Sequence, residues 1–299
     1  MEKISASMIV RDEEKCLGKC LESIKGVDEV VIVDTGSKDK TANIALKYTD
    51  KYFPDEYVWN DNFAEARNFS IKKCKGDWIL TIDADETLEP NGVEKIRKAI
   101  ASTIESCFYI KCVHEKSRWE HFQPRVYRND PGIFWKGEIH NYLNTNPKET
   151  IDTQITFGYS PAHKNDPNRA LRILKKVVKE RPDCIREKFY LAREFSYRLD
   201  WVSTVRWCRE YIKNGFWGPE RAEAFLLLAK ACWNLHKGEE ARDMCLQAIK
   251  INADFGEALR FMGEISGPNN KKKWLTYAEM ATDKNVLFRR VRQKGKNVL

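Results

Sequence analysis

The chain opens on two apolar runs separated by an amphipathic stretch. Ile4–Val10 (ISASMIV) reads as a strand, and Glu13–Ile24 carries Leu17, Leu21 and Ile24 at helical spacing. Glu29–Asp34 (EVVIVD) is apolar almost throughout, as in a strand covered on both faces. The alternation continues. SKDKTANIALKY predicts a helix with Ser37 or Asp39 as N-cap, YVWN a short strand, and NFAEARNFSIKKC a helix. Asp77–Asp83 (DWILTID) predicts another buried strand and EPNGVEKIRKAI another helix. Strands and helices alternating at this pace predict an α/β fold with a mostly parallel sheet, whose ligands lie at the carboxyl ends of the strands.

From about Asn165 the pattern changes: apolar residues recur every three or four positions and no clear strand is present. Leu191–Lys213 lines up with Leu228–Lys250 at an offset of 37, matching Leu191/Leu228, Ala192/Ala229, Cys208/Cys245, Ile212/Ile249 and Lys213/Lys250. A weaker third unit starts near Ala258, offset 34 from Ala224. Such periods predict stacked tetratricopeptide-like helix pairs with a concave binding surface. Two domains are expected, 1–163 and 164–299.

Composition narrows the class. The 299 residues are 42% hydrophobic and 32% charged, enough for a core. No apolar run approaches the roughly 20 residues that span a bilayer. The apolar stretch after MEK is too short for a signal peptide, so a cytoplasmic protein is expected. Nine cysteines lack metal spacing and read as reduced thiols that pack as small apolar groups. Charge is uneven. Residues 1–163 hold 23 Lys+Arg against 27 Asp+Glu, or −4; residues 164–299 hold 29 against 17, or +12. A basic half favours an acidic partner or is a solvated helical surface.

Two motifs carry candidate chemistry. VVIVDTGSKDKT (Val30–Thr41) contains the Asp-Thr-Gly-Ser of an aspartic protease, but that chemistry needs two such loops sharing a proton and the chain has one. GDWILTIDADETL (Gly76–Leu88) delivers Asp83 and Asp85 to the end of an apolar strand. On an extended segment the two carboxylates share one side, with Glu86 on the other. Such a pair suits Mg²⁺ or Mn²⁺ held together with a substrate diphosphate. DADET also fits a haloacid-dehalogenase-type phosphatase, although no later acidic pair completes that metal site.

Three segments in order add specificity: Met8–Ala45, Trp59–Glu86 and Arg125–Asn141. Together they resemble family 2 glycosyltransferases on the nucleotide-diphospho-sugar (GT-A) fold, in the branch with a C-terminal tetratricopeptide-like domain that includes bacteriocin peptide glycosyltransferases. The resemblance is close over about 3–165. It implies that Asp34 contacts the nucleobase edge, typically uracil, with Gly36 in the following turn, and that Val10, Arg11 and Glu13 line the nucleoside pocket. The family more often has Asn where this chain has Asp12. Arg67 suits a diphosphate, being permanently charged and forked, or pairs structurally with Asp83. Asn68 is expected on sugar or ribose hydroxyls, Asp83 on ribose or metal, Ala84 beside it, and Asp85 on the metal. His163 is expected to close a site suited to Mn²⁺.

An inverting transferase needs a base for the acceptor. Glu138 is the first candidate and His140 the second, although the family usually places an Asp there. Trp135 stacks on a sugar or packs in the core. The expected activity is transfer of a hexose from a UDP-sugar. A peptide or protein is the preferred acceptor, with lipopolysaccharide or DNA as alternatives, and the helical repeats allow a homodimer. The competing class is an inactive scaffold that binds through its repeats.

Overall fold

The computed structural model describes residues 2–287 except 102, 118, 119, 159, 161–164 and 285. Two compact units result, one ending at Pro167 and the other starting at Asn168. The boundary expected between 163 and 164 falls outside the described residues.

The first unit is built on one eight-stranded sheet. Its strands are β1 (Ile4–Val10), β2 (Glu29–Asp34), β3 (Tyr52–Phe53), β4 (Trp78–Thr81), β5 (Glu86–Leu88), β6 (Cys107–His114), β7 (Glu120–Arg128) and β10 (Glu149–Phe157), in the order β3-β2-β1-β4-β7-β6-β10-β5. β3, β2, β1 and β4 are parallel, β6 and β10 run with them, and only β7 and β5 oppose. A separate ribbon pairs β8 (Trp135–Lys136) with β9 (Tyr142–Leu143).

Helices α1 (Leu17–Ser23), α2 (Thr41–Ala45), α3 (Phe63–Lys73) and α4 (Gly92–Ile100) complete the unit. The sheet is covered on both faces, which explains its near-continuous apolar strands. Ile4, Met8, Trp78 and Leu80 pack with Leu17 and Leu21 of α1 and Val93 and Ile96 of α4. Val31 and Ile79, their neighbours along the strands, pack instead with Ala64 of α3 and with Trp135. Gly76 leads into β4 where a Cβ would lie 2.8 Å from the Ser5 amide nitrogen and 2.9 Å from the Lys3 carbonyl, so only glycine fits the approach to β1.

Several expectations are corrected. YVWN is irregular, and the parallel partner of β2 is Tyr52–Phe53. Tyr57 instead packs on Phe69 across a loop in which Val58 is exposed. α1 begins at Leu17 because Glu13–Cys16 form a turn, with Cys16 N–H on the Glu13 carbonyl. The N-cap position of α2 is Lys40, without a side-chain cap; Ser37 serves the neighbouring loop, whereas Asp39 Oδ1 accepts from the N–H of Thr41, the first residue of the helix, at 2.9 Å.

The second unit is all helix: α5 (Arg169–Glu180), α6 (Arg186–Tyr197), α7 (Trp201–Asn214), α8 (Gly218–Asn234), α9 (Gly238–Ile251), α10 (Gly256–Ile265) and α11 (Pro268–Met280). α6 packs on α7, α8 on α9 and α10 on α11, in the tetratricopeptide-like manner expected. α7 and α9 stand 37 residues apart at both ends, the offset read from the sequence. The repeated residues Ala192/Ala229 and Cys208/Cys245 are buried together where the helices approach closely. All nine cysteines are free and seven are buried. Among the described residues no helix is long and apolar enough to cross a membrane.

Candidate active site

The carboxyl ends of β1 and β2 carry two loops that are laced together. The Thr35 amide and hydroxyl both donate to the Val10 carbonyl, at 3.0 and 3.1 Å. Asp12 N–H donates to Ser37 Oγ at 2.9 Å, and Lys38 N–H returns to Asp12 Oδ1 at 2.7 Å. Glu13 N–H reaches Thr41 Oγ1 at 2.8 Å and Glu14 N–H reaches Asp39 Oδ2 at 3.0 Å. Asp12 has φ 56, a left-handed conformation that Asn and Asp tolerate better than most side chains. Either residue suits the position, since the Oδ1 of an Asn could accept from Lys38 N–H as that of Asp12 does.

Asp34 is buried at the end of β2. Its Oδ1 accepts from Gly36 N–H at 2.9 Å and Ser37 N–H at 2.8 Å, and its Oδ2 accepts from the Tyr52 hydroxyl at 2.6 Å. Gly36 has φ +105, which the turn requires. Burial raises the Tyr52 phenol, and the hydrogen bond to Asp34 adds to the rise. Asp34 therefore shapes its own loop, and Tyr52 is a partner that sequence reading missed. Val10 is buried and Arg11 exposed.

Asp83–Glu86 is a turn between β4 and β5, closed by Glu86 N–H on the Asp83 carbonyl at 3.0 Å. The extended geometry expected there is absent, so strand alternation does not place the carboxylates. They are placed by partners. Asp83 Oδ1 accepts from Arg67 Nη2 at 2.7 Å, and its Oδ2 lies 3.8 Å from Arg125 Nη1. Asp85 Oδ2 accepts from Ser160 N–H at 3.1 Å. Ala84 between them is buried.

Glu86 is buried, not on an open face. Its Oε1 accepts from Arg125 Nη2 at 2.5 Å and its Oε2 from Asp83 N–H at 2.9 Å. Burial pushes the Glu86 carboxyl up; Arg125 opposes the rise, and Asp83 and Asp85 reinforce it. Arg125 is the main functional residue that sequence reading missed. It lies in one of the three recognised segments, but nothing local to β7 points to Glu86, 39 positions away.

Glu13 faces the same acids. Burial raises its carboxyl to about 7, against a hydrogen bond with Ser160 and with Asp85, Asp83 and Asp39 adding to the rise. Its Oε2 is buried without a hydrogen-bond partner among the described residues. The structure thus brings Glu13, Asp83 and Asp85 into one electrostatic neighbourhood, where sequence reading had put Glu13 in the nucleoside pocket. No three His, Cys, Asp or Glu side chains form a ready-made metal cage among the described residues. His163 lies outside them.

Arg67 projects from α3 with its guanidinium 5.3 Å from the Trp135 ring centre. Its Nη2 serves Asp83, while Nε and Nη1 are buried with no hydrogen-bond partner among the described residues. Such donors are costly unless an anion meets them. The alternative role of Arg67, the pair with Asp83, is also present.

Asn68 differs from expectation. Its Nδ2 donates to the Trp135 carbonyl and its Oδ1 accepts from Trp135 N–H, both at 2.9 Å, so its amide clamps β8. The Trp135 indole donates to the Tyr127 hydroxyl at 3.0 Å, and that hydroxyl is 2.6 Å from Thr81 Oγ1. Trp135 is accordingly buried rather than an open stacking platform. The first residue of α3, Phe63, donates its N–H to the Glu138 carbonyl at 2.8 Å. Gly137 at φ +88 and His140 at φ +49 bend the loop that carries both base candidates. One helix thus holds Arg67, Asn68 and the Glu138 loop.

Asn68→Ala is expected to lower stability by about 1–3 kcal/mol through the unpaired Trp135 backbone. The affinities for UDP and for UDP-glucose should each stay at their wild-type values in calorimetric titration. A selective loss for the UDP-sugar would restore Asn68 to the sugar.

Residues 5–162 match the sequence model of Glycosyl transferase family 2, more than half of the chain. The chain belongs to glycosyltransferase family 2. A TPR repeat-containing protein of Synechococcus elongatus is 34% identical over 251 residues, covering 76% of this chain and 60% of that protein. The lipopolysaccharide core biosynthesis glycosyltransferase LpsC of Rhizobium meliloti is 36% identical over 104 residues, 34% of this chain and 38% of LpsC. The SPbeta prophage-derived glycosyltransferase SunS of Bacillus subtilis is 28% identical over 211 residues, 64% of this chain and 49% of SunS. The family 2 chain therefore spans between 38% and 60% of the length of these relatives.

Proposed function

We propose that this chain is a metal-dependent, inverting glycosyltransferase of the cytoplasm, transferring a hexose from a UDP-sugar to a peptide or protein side chain. The observation that carries the reading is Arg67: two buried guanidinium nitrogens without hydrogen-bond partners among the described residues, while the third holds Asp83 just beyond the carboxyl end of β4. A guanidinium with two open donors matches two oxygens of a diphosphate.

The acids fit a divalent cation that takes one or two protein carboxylates and completes its shell from substrate phosphates. Bound Mg²⁺ or Mn²⁺ would neutralise charge on the departing diphosphate. Asp85, with Asp83, would hold it, His163 is the remaining candidate ligand, and Arg67 would bind the diphosphate oxygens. Val10, Arg11, Asp34 and Gly36 would frame the nucleoside. Glu138, or else His140, would take the proton from the acceptor hydroxyl as its oxygen bonds to the anomeric carbon and UDP leaves from the opposite face.

The peptide preference rests on the helix pairs of the second unit, which suit an extended chain and allow a homodimer. Lipopolysaccharide and nucleic acid are the alternative acceptors. The phosphatase reading is the weaker one, because no later acidic pair of the sequence completes the metal site it needs.

Thermal unfolding with UDP, GDP, CMP or TDP, each with Mn²⁺ or with EDTA, tests the proposal. UDP with Mn²⁺ is expected to stabilise by about 2.7 kcal/mol at a hundredfold excess over its dissociation constant. Indifference to every nucleotide would leave the repeat scaffold as the better account.

A further inference from the structure

Helix α5 presents two unlike faces. Ile173, Leu174, Val177 and Val178 are buried in the second unit. Arg172, Lys175, Lys176 and Lys179 are exposed. These cations sit at i, i+3, i+4 and i+7, one stripe roughly 10 Å long. Like charges at these spacings repel, so the arrangement works against the helix that displays it.

Several cations elsewhere in the unit are paired, although Lys271, Lys272 and Lys273 of α11 are exposed like those of α5. Arg186 pairs with Glu220, Arg198 with Glu194, Arg209 with Glu240, Lys213 with Glu210 and Lys230 with Glu257. No such pair forms for Lys175, Lys176 or Lys179 among the described residues. Lys175 rests 5.2 Å from the Phe195 ring centre and is felt by Asp200. That carboxylate, however, is engaged by Ser203 N–H at 3.0 Å and Ser203 Oγ at 2.7 Å.

We propose that the exposed stripe of α5 is an electrostatic contact for an anionic lipid surface. Charge complementarity and the make-up of the stripe favour this partner. Lysines predominate, and a lysine is a compact point charge suited to a diffuse layer of headgroup phosphates. The four positions include no aromatic or amide side chain, so the stripe lacks the stacking and base-reading groups typical of a nucleic-acid site. A straight stripe on a helix lying along the surface also brings every cation to a plane at once. The apolar face of α5 is already buried, so the contact needs no insertion and is reversible and salt-sensitive. The inference stands apart from the transferase reading, since none of these residues belongs to the candidate active site.

Co-sedimentation of the full chain with vesicles tests it. Binding is expected to phosphatidylglycerol mixed with phosphatidylcholine, to be absent with phosphatidylcholine alone, and to vanish near 1 M salt, where charges are screened within about 3 Å. Each membrane-facing cation contributes about fivefold, so K175Q/K176Q/K179Q should weaken binding by roughly a hundredfold. These side chains are exposed, and an unchanged melting temperature would exclude misfolding. K271Q/K272Q/K273Q removes three exposed lysines from α11 and should leave most of the binding intact. Equal losses in the two triple variants would reduce the effect to net charge and overturn the proposal. So would tighter binding to an oligothymidylate than to the acidic vesicles, or no binding to them at all.

Discussion

Asp85→Asn is expected to abolish the stabilisation that UDP gives in the presence of Mn²⁺. The substitution keeps a side-chain oxygen that can accept from Ser160 N–H and removes the charge. A cation shared between protein and diphosphate depends on that charge, and Asp83, whose carboxylate already answers two arginines, supplements Asp85 without replacing it. With nucleotide at a hundredfold excess, about 2.7 kcal/mol should disappear from the ligand-dependent part of stability. Stability without ligand should move little. Scanning calorimetry with UDP and either Mn²⁺ or EDTA reads both quantities. A wild-type shift in the variant would remove Asp85 from the metal site.

The second large effect concerns Arg125. Arg125→Met leaves Glu86 buried without its guanidinium, and breaking one side of a buried pair costs about 3–5 kcal/mol. The loss should depend on pH in a defined direction. Burial already raises the Glu86 carboxyl to about 7, above its ordinary 4.5, and removing Arg125 removes the main opposing influence. A carboxyl raised in the folded state gives stability that is present below its unfolded value and is lost as pH rises through the folded one. The variant should therefore be closest to wild type near pH 5 and fall further behind as pH rises past 7. Adding Glu86→Leu should recover much of the stability, because an apolar pair replaces a stranded charge. Chemical denaturation across this pH range decides the matter; a pH-independent deficit would mean that Arg125 acts through packing alone.

The parts of this molecule that were legible in its sequence are those governed by local periodicity. β1, β2 and β4 announce themselves because they are covered on both faces and are mostly apolar, with only the small Ser5 and Ser7 interrupting β1. α7 and α9 are visible because the same small residues recur where two helices touch. β6 and β7 were not legible. Lys111, His114 and Pro124 break their alternation, and their pairing shifts register between Phe108 and Tyr109. Within the site, residue type identified Asp83, Asp85 and Arg67, since few side chains perform that chemistry. Their placement was less legible. An extended backbone would put Glu86 on the face opposite the two aspartates; the chain turns there instead, and Glu86 is buried on Arg125. Asn68 reads as a sugar ligand by its chemistry and is a clamp by its position, which depends on a strand 67 residues away.

The lacing of the two loops at the ends of β1 and β2 bears on how this pocket can change over generations. Asp12 serves Lys38, Ser37 serves Asp12, Thr41 serves Glu13 and Asp39 serves Glu14. A substitution of Asp12, Ser37, Thr41 or Asp39, whose side chains make these bonds, is inherited by both loops at once. A lineage cannot alter one of these loops alone and test the result; it must pass through forms in which both are loosened. Variation should therefore accumulate first in the loop carrying Glu138, which meets α3 through a backbone hydrogen bond that tolerates many side chains.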